Sequence, residues 1–147
     1  MEVVVVTAEQ TRPLRHLILR PNQPVDSTDY PGDHDPGTRH FGVMDEGRLV
    51  GIASLYREPR SDGPPGGWRL RGMATATDAR GKGAGRSLLG VCRDHVAARG
   101  GTELWCNARM VARDFYTAAG FEPVGPEFDI TDIGPHVVMR IDVAPTA

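Results

Sequence analysis

The chain has one lysine. Lys82 is the single ε-amine in 147 residues, and positive charge is otherwise carried by arginine. Coding bias toward GC-rich codons is enough to produce that pattern. The formal net charge is −2, so the surplus of cations that draws a protein to nucleic acid or an anionic bilayer is missing. Two cysteines, Cys92 and Cys106, fall in segments read as helix and strand and do not suggest a disulfide framework. No apolar run approaches the roughly 20 residues of a membrane span. The opening residues, Met1-Glu2-Val3-Val4-Val5-Val6-Thr7, lack a basic leader region, and their apolar run is too short for a secretion signal. They read as a buried strand. What is left is one domain over residues 1–147, long enough for a core, cytoplasmic by default, with no nucleic-acid or membrane partner expected.

Glycine and proline are plentiful instead, and they cluster. The most informative cluster is Arg80-Gly81-Lys82-Gly83-Ala84-Gly85, followed by Arg86-Ser87. It lies between a strand over 68–75 and a long amphipathic helix over 83–99. Glycines at a strand-to-helix turn expose backbone N–H groups, and a helix start leaves about four such donors unpaired with a partial positive charge. That combination seats a phosphate or pyrophosphate, and Arg80, Lys82 and Arg86 add full charges around it. A dinucleotide-binding G-x-G-x-x-G does not fit, because Arg86 or Leu88 stands where the last glycine is needed. A P-loop does not fit either, because Gly81-Lys82 is followed by Gly83.

The spacing that does fit is [RQ]-x-x-G-x-[GA], with Arg80, Gly83 and Gly85. A second pattern, N-x(4)-A-x-x-F-Y-x-x-x-G-F, runs from Asn107 through Ala112, Phe115 and Tyr116 to Gly120-Phe121. In this order and on these elements, the two motifs resemble the GNAT superfamily of acyl-CoA N-acyltransferases. The resemblance covers residues 40–143 well and residues 1–39 less well. The Pro135-His136-Val137-Val138-Met139 sequence is similar to the ElaA-like branch of that superfamily.

The resemblance implies an α/β fold of the α+β type. Its central sheet is mixed and mostly antiparallel, with six or seven strands and three or four flanking helices. The strands here at 68–75 and 103–107 would run parallel and splay apart to admit the pantetheine arm of acetyl-CoA. It further implies that acetyl-CoA serves as co-substrate, held by Arg80, Gly81, Lys82, Gly83, Ala84, Gly85, Arg86 and Ser87 and by the backbone of Met73, Ala74 and Thr75. Asn107 matches a position that bonds pantetheine, or else closes the turn after its strand. Tyr116 matches the general acid that protonates the leaving thiolate; packing beside Phe115 and Phe121 is the other reading. No metal is needed. The acceptor is an amine on a small molecule or peptide, and many such domains pair into homodimers. A non-catalytic acyl-CoA-binding or sensing module is the alternative, and an unrelated α/β domain that binds another phosphate is a third reading.

Deprotonation of the amine is the open step. The strand at 68–75 carries only Arg69 and Arg71 as ionisable groups, where many relatives have a glutamate. His136 starts the last strand and is either a proton relay or a structural hydrogen bonder. Residues 20–39 are rich in Pro, Asp and Gly and read as a surface connection or a binding loop. Within them Asp33-His34-Asp35, with His40, could recognise a cationic acceptor; the spacing matches no defined metal site. Arg71 could meet an anionic acceptor, but the sequence does not fix its face. Trp68 and Trp105 read as core, and Cys106 as strand packing rather than nucleophile.

The pattern of elements is a strand at 2–7 and a helix whose Leu14, Leu17 and Ile18 share one face. A hairpin turns at 45–48, and single strands fall at 68–75 and 103–107. A helix spans 109–119, a short strand lies near 121–125, a loop follows it, and the last strand spans 136–143.

Overall fold

The computed structural model describes residues 1–144. Its strands are β1 (Glu2–Val6), β2 (Arg39–Asp45), β3 (Arg48–Tyr56), β4 (Gly67–Thr75), β5 (Glu103–Arg109), β6 (Glu122–Ile130) and β7 (Gly134–Asp142). The α-helices are α1 (Ala8–Leu14), α2 (Ala84–Ala98) and α3 (Arg113–Ala118). The strands hydrogen-bond in the order β1-β2-β3-β4-β5-β7-β6. The parallel ladder is β4 with β5, and it is short: Gly67, Trp68 and Arg69 pair with Glu103, Leu104 and Trp105. The described residues form two compact units, one of residues 1–57 and 70–95, the other of residues 58–69 and 96–144.

In the first unit, α1 starts with a capping box. The Gln10 N–H donates to Thr7 Oγ1 (3.2 Å), and the Thr7 N–H donates to Gln10 Oε1 (2.8 Å). Pro13 lies inside the helix and cannot donate its i→i−4 bond. After Leu14 the coil widens into a π-helical turn, Arg15–Leu19. This changes which side chains face inward. The expected stripe of Leu14, Leu17 and Ile18 holds at Leu14 but fails at Leu17, which is 65% exposed. Arg15 takes the inward place and is fully buried.

A buried guanidinium needs hydrogen bonds to offset its lost hydration, and Arg15 makes them through its two terminal nitrogens, while its Nε has no partner among the described residues. Arg15 donates to Asp33 through two nitrogens (2.7 and 3.1 Å), and also to the Thr28 carbonyl (2.8 Å), Ser54 Oγ (3.0 Å) and the Tyr56 hydroxyl (3.2 Å). Asp33 also accepts from the Tyr56 hydroxyl (2.6 Å) and the Tyr30 N–H (3.0 Å). The Asp33 carbonyl can only accept, so His40 donates to it through Nε2 (2.9 Å) and accepts at Nδ1 from Ser54 Oγ (2.6 Å). The cluster flagged around Asp33 therefore divides. Asp33 and His40 turn inward as structure, while His34 is exposed with Nε2 3.8 Å from Glu9. Residues 20–39 are consequently fastened to β2 and β3, and they include a 3-10 turn at Val25–Thr28.

Burial by itself would raise the Asp33 carboxyl; the bonds from Arg15, Tyr56 and the Tyr30 N–H outweigh it and hold the group below its ordinary range. Burial, assisted by the nearby Arg15 charge, keeps His40 below the usual imidazole value. Burial and the bond to Asp33 push the Tyr56 phenol upward.

Helix α2 buries Leu88, Leu89, Cys92 and Val96, as its spacing predicts.

In the second unit, Glu103 opens β5 fully buried and accepts from Arg60 Nε (3.0 Å) and Arg140 Nε (2.6 Å). Arg140 also pairs with Glu122 and Asp142, and the Glu103 bond leads in pushing its pKa above the ordinary arginine value. Two expectations need correction here. The segment read as one helix over 109–119 is the end of β5, a 3-10 turn at Met110–Ala112 and then α3. The short strand near 121–125 is the nine-residue β6, and the loop expected after it is mostly strand. Gly125-Pro126 reads as a loop, but it sits where the β6–β7 register slips between Val124 and Phe128. An edge strand tolerates both residues at such a bulge.

Replacing Arg15 with Met leaves the Asp33 carboxylate buried without its partner. The expected loss is about 3–5 kcal/mol of unfolding free energy, read by urea denaturation at neutral pH. The pH dependence has a fixed sign. Both His40 and Asp33 have lowered folded values, so their contributions are complete above the unfolded values and disappear as pH falls. Wild-type stability should decline first below about 6.5 for His40 and again below about 3.8 for Asp33. In Arg15→Met the second decline should shrink.

Candidate active site

Strand β4 ends at Thr75, with Ala74 buried and Met73 and Thr75 half-buried. The chain is then pinned twice: the Ala76 N–H donates to the Val50 carbonyl (2.7 Å), and Ala79 is buried. Between these pins Asp78 pairs with Arg48 at 2.9 Å on the surface. The chain then turns outward through Arg80, Gly81, Lys82 and Gly83, all exposed. Gly81 and Gly83 have φ of +81° and +84°, a conformation that strains any residue with a Cβ. A Cβ there would meet open space, so the demand for glycine comes from the backbone alone.

The first backbone bond of α2 runs from the Ser87 N–H to the Gly83 carbonyl (3.0 Å). The N–H groups of Ala84, Gly85 and Arg86 precede it and have no helical acceptor. Arg80, Lys82 and Arg86 are exposed around them. The loop and strand residues singled out for the cofactor thus lie in one compact unit.

The remaining singled-out residues lie in the other unit. β5 runs on to Arg109, so Asn107 sits inside a strand opposite Val138 and does not close a turn. Tyr116 is buried in α3, with its ring edge-on to Phe115 (5.1 Å) and Phe121 (5.4 Å). Its hydroxyl shares a hydrogen bond with the Cys106 thiol. The ring is therefore packed and the hydroxyl is directed, so the two readings of Tyr116 are compatible.

His136 is buried on β7 opposite Arg109 and stacks on Phe128 at 5.9 Å. Its Nδ1 lies 2.7 Å from the Gly134 carbonyl. A carbonyl only accepts, so neutral His136 carries its proton on Nδ1 and its lone pair on Nε2. That arrangement suits a proton acceptor held in one tautomer.

Trp68 and Trp105 are core residues, as expected. Trp105 Nε1 donates to the Glu58 carbonyl (2.7 Å), and Arg69 stacks on its ring at 5.2 Å. Arg71 lies over the Tyr30 ring at 4.1 Å, which fixes the face that the sequence left open. The Arg15 network was not foreseen as a whole. Its members come from five separate segments, and no spacing links them; an arginine within an apolar helical stripe was the one local sign.

The chain can now be compared with known proteins. The family model described as acetyltransferase (GNAT) domain matches residues 27–143. The uncharacterized N-acetyltransferase YitI of Bacillus subtilis (strain 168) is 38% identical over 142 residues, which make up 95% of this chain and 94% of that protein. An aminoglycoside 6'-N-acetyltransferase crystallised with coenzyme A shares the fold with a TM-score of 0.80 at 16% identity, over 100% of this chain and 99% of that one. Escherichia coli ElaA gives a TM-score of 0.75 at 18% identity, over 95% and 99%. Among the described residues, no helix is long and apolar enough to cross a membrane.

Burial pushes both thiols up to about 12, so neither is a thiolate at neutral pH. The native protein should therefore leave Cys92 and Cys106 unreacted with a thiol reagent over minutes at pH 7, and urea should release both. Rapid native labelling of Cys106 would reopen a covalent acyl-enzyme route.

Proposed function

The chain belongs to the GNAT acetyltransferase family, and we propose that it moves an acetyl group from acetyl-CoA to a primary amine by direct attack. The observation that carries the cofactor assignment is the Arg80–Ser87 loop. Two left-handed glycines open it, three helical N–H groups lie unpaired behind it, and three cations surround it. A pyrophosphate takes both kinds of donor. The backbone of Met73, Ala74 and Thr75 would hold the pantetheine amides as an added strand would. Asn107, half-buried within β5, carries a side-chain amide of the kind that bonds a pantetheine amide.

The reaction has two proton problems. An alkylamine is mostly charged at neutral pH, with a pKa of about 10, and only its neutral form attacks. His136 is assigned as the acceptor of that proton at Nε2, supported by the bond that occupies Nδ1. The amine nitrogen bonds to the thioester carbonyl carbon, and collapse of the adduct breaks the C–S bond. The departing thiolate then takes the Tyr116 phenolic proton; the adduct nitrogen gives up its second proton to solvent, from which the phenolate is reprotonated. A neutral thiol is a weak acceptor, so the bond from Tyr116 to Cys106 is readily exchanged for one to a thiolate.

The cofactor seat is tested by thermal shift. Acetyl-CoA at about 100 times its Kd should add about 2.7 kcal/mol, or roughly 5–10 °C for a domain of this size. Free CoA should act similarly, ATP less, and Arg80→Ala should weaken the shift. A larger shift with ATP would point to a different phosphate ligand.

The proton roles are tested by turnover. Tyr116→Phe should lower kcat by about 100- to 10,000-fold while leaving the acetyl-CoA shift in place. His136→Gln should lower kcat by about 100- to 10,000-fold while leaving the acetyl-CoA shift in place. Unchanged turnover in Tyr116→Phe would remove that residue from the chemistry.

A further inference from the structure

Removing a positive charge matters most where an anion is held, and the one lysine of the chain stands at such a place. Lys82 lies in the Arg80–Ser87 loop, between the two glycines of positive φ, Gly81 (+81°) and Gly83 (+84°). Coding bias accounts for the arginines elsewhere; it does not account for a lysine at this position. The two side chains differ in chemistry. A guanidinium stays charged, whereas a lysine amine accepts an acyl group and becomes a neutral amide.

The surroundings leave that amine open to reagents. Lys82 is exposed, and a Cβ on either neighbouring glycine would meet nothing within 4 Å. No hydrogen bond or ion pair holds it among the described residues. Asp78 senses the Lys82 charge, but both of its oxygens accept from Arg48 Nη2 at 2.9 Å. The loop therefore contains three full charges, those of Arg80, Lys82 and Arg86, and one of them can be switched off chemically.

We propose that Lys82 is an acetylation site, at which an activated acetyl group from solution, a thioester or an acyl phosphate, weakens the grip of the loop on the cofactor. The neutral ε-nitrogen bonds to the acetyl carbonyl carbon. The C–S or C–O bond to the leaving group breaks, and the thiolate or phosphate departs with the electron pair. The nitrogen gives its extra proton to solvent, which leaves an amide and a free thiol or phosphate. The donor is a second molecule, because a cofactor seated on this loop has its pyrophosphate at Lys82 and its thioester at the far end of the pantetheine arm.

The consequence follows from charge. A phosphate oxygen at the loop loses one charge-assisted bond, which at an exposed position corresponds to roughly a five- to thirtyfold weaker acetyl-CoA Kd. The same contact acts in the other direction: a bound pyrophosphate covers the amine and favours its charged, unreactive form. Cofactor and acetyl donor thus oppose one another at one nitrogen. This opposition rests on the acetyltransferase reading of the loop, whereas the modification itself is read by mass without turnover.

The test incubates the intact chain with S-acetylpantetheine or with acetyl phosphate in mildly alkaline buffer and follows Lys82 by peptide mass mapping. An acetyl adduct at Lys82 is expected from at least one donor, and which donor reacts separates thioester from acyl phosphate. Desulfo-CoA keeps the pyrophosphate and lacks the thiol; at about 100 times its Kd it should slow the adduct by roughly tenfold or more. Panthenol, which has no pyrophosphate, should not slow it. The acetylated protein and Lys82→Gln should both show a smaller acetyl-CoA thermal shift than Lys82→Arg, which takes no adduct at that position.

No adduct at Lys82 with either donor, equal rates with and without desulfo-CoA, or an unchanged acetyl-CoA shift after acetylation overturns the proposal. Failure of the acetyltransferase reading looks different: acetyl-CoA gives no shift in the unmodified protein even while Lys82 takes the acetyl group, and the switch falls with it.

Discussion

The Arg15–Asp33 pair is the contact on which the first compact unit depends. Arg15 reaches across to the loop before β2, to β3 through Ser54 and Tyr56, and to the ring of Tyr30. Because the guanidinium is wholly out of water, each of those bonds also offsets a hydration loss. The network is directional as well. Arg15 donates to Ser54, Ser54 to His40, and His40 to the Asp33 carbonyl, so one orientation of each group satisfies the next. A loop rich in Pro, Asp and Gly is given a definite place this way, and with it the Tyr30 ring beside Arg71 of β4.

The two side chains proposed to carry the proton chemistry sit in environments made by ordinary packing. Tyr116 is clamped by two aromatic rings and hydrogen-bonds with a thiol that burial keeps neutral. His136 is held by a carbonyl two residues back and by Phe128. The imidazole is oriented by main chain, so its tautomer follows from the turn at Gly134.

Much of this was legible in the sequence because the informative features are local. The Gly81 and Gly83 conformations, the unpaired N–H groups at the start of α2 and the motif from Asn107 to Phe121 are set by short-range spacing. The strand and helix order follows from periodicity in the same way. The misses have a common physical cause. Pro13 changed the winding of α1 and exchanged Leu17 for Arg15 in the core, an outcome that depends on partners up to 41 residues away. Asn107 was read at a strand end because β5 continues through Arg109, a choice made by pairing with β7. Gly125-Pro126 looked like a loop because pairing with β7 on one side is enough to keep an interrupted strand in place.

That interrupted strand has a consequence for how the molecule meets its neighbours. β6 closes one end of the strand order, and a terminal strand normally offers a row of free main-chain donors to any passing chain. Pro123 and Pro126 each lack such a donor, and the slip between Val124 and Phe128 breaks the spacing of the rest. The ladder at that margin cannot be extended in regular register. Recognition along β6 must therefore be written in side chains, and the acidic Glu122, Glu127 and Asp129 are the letters it has available.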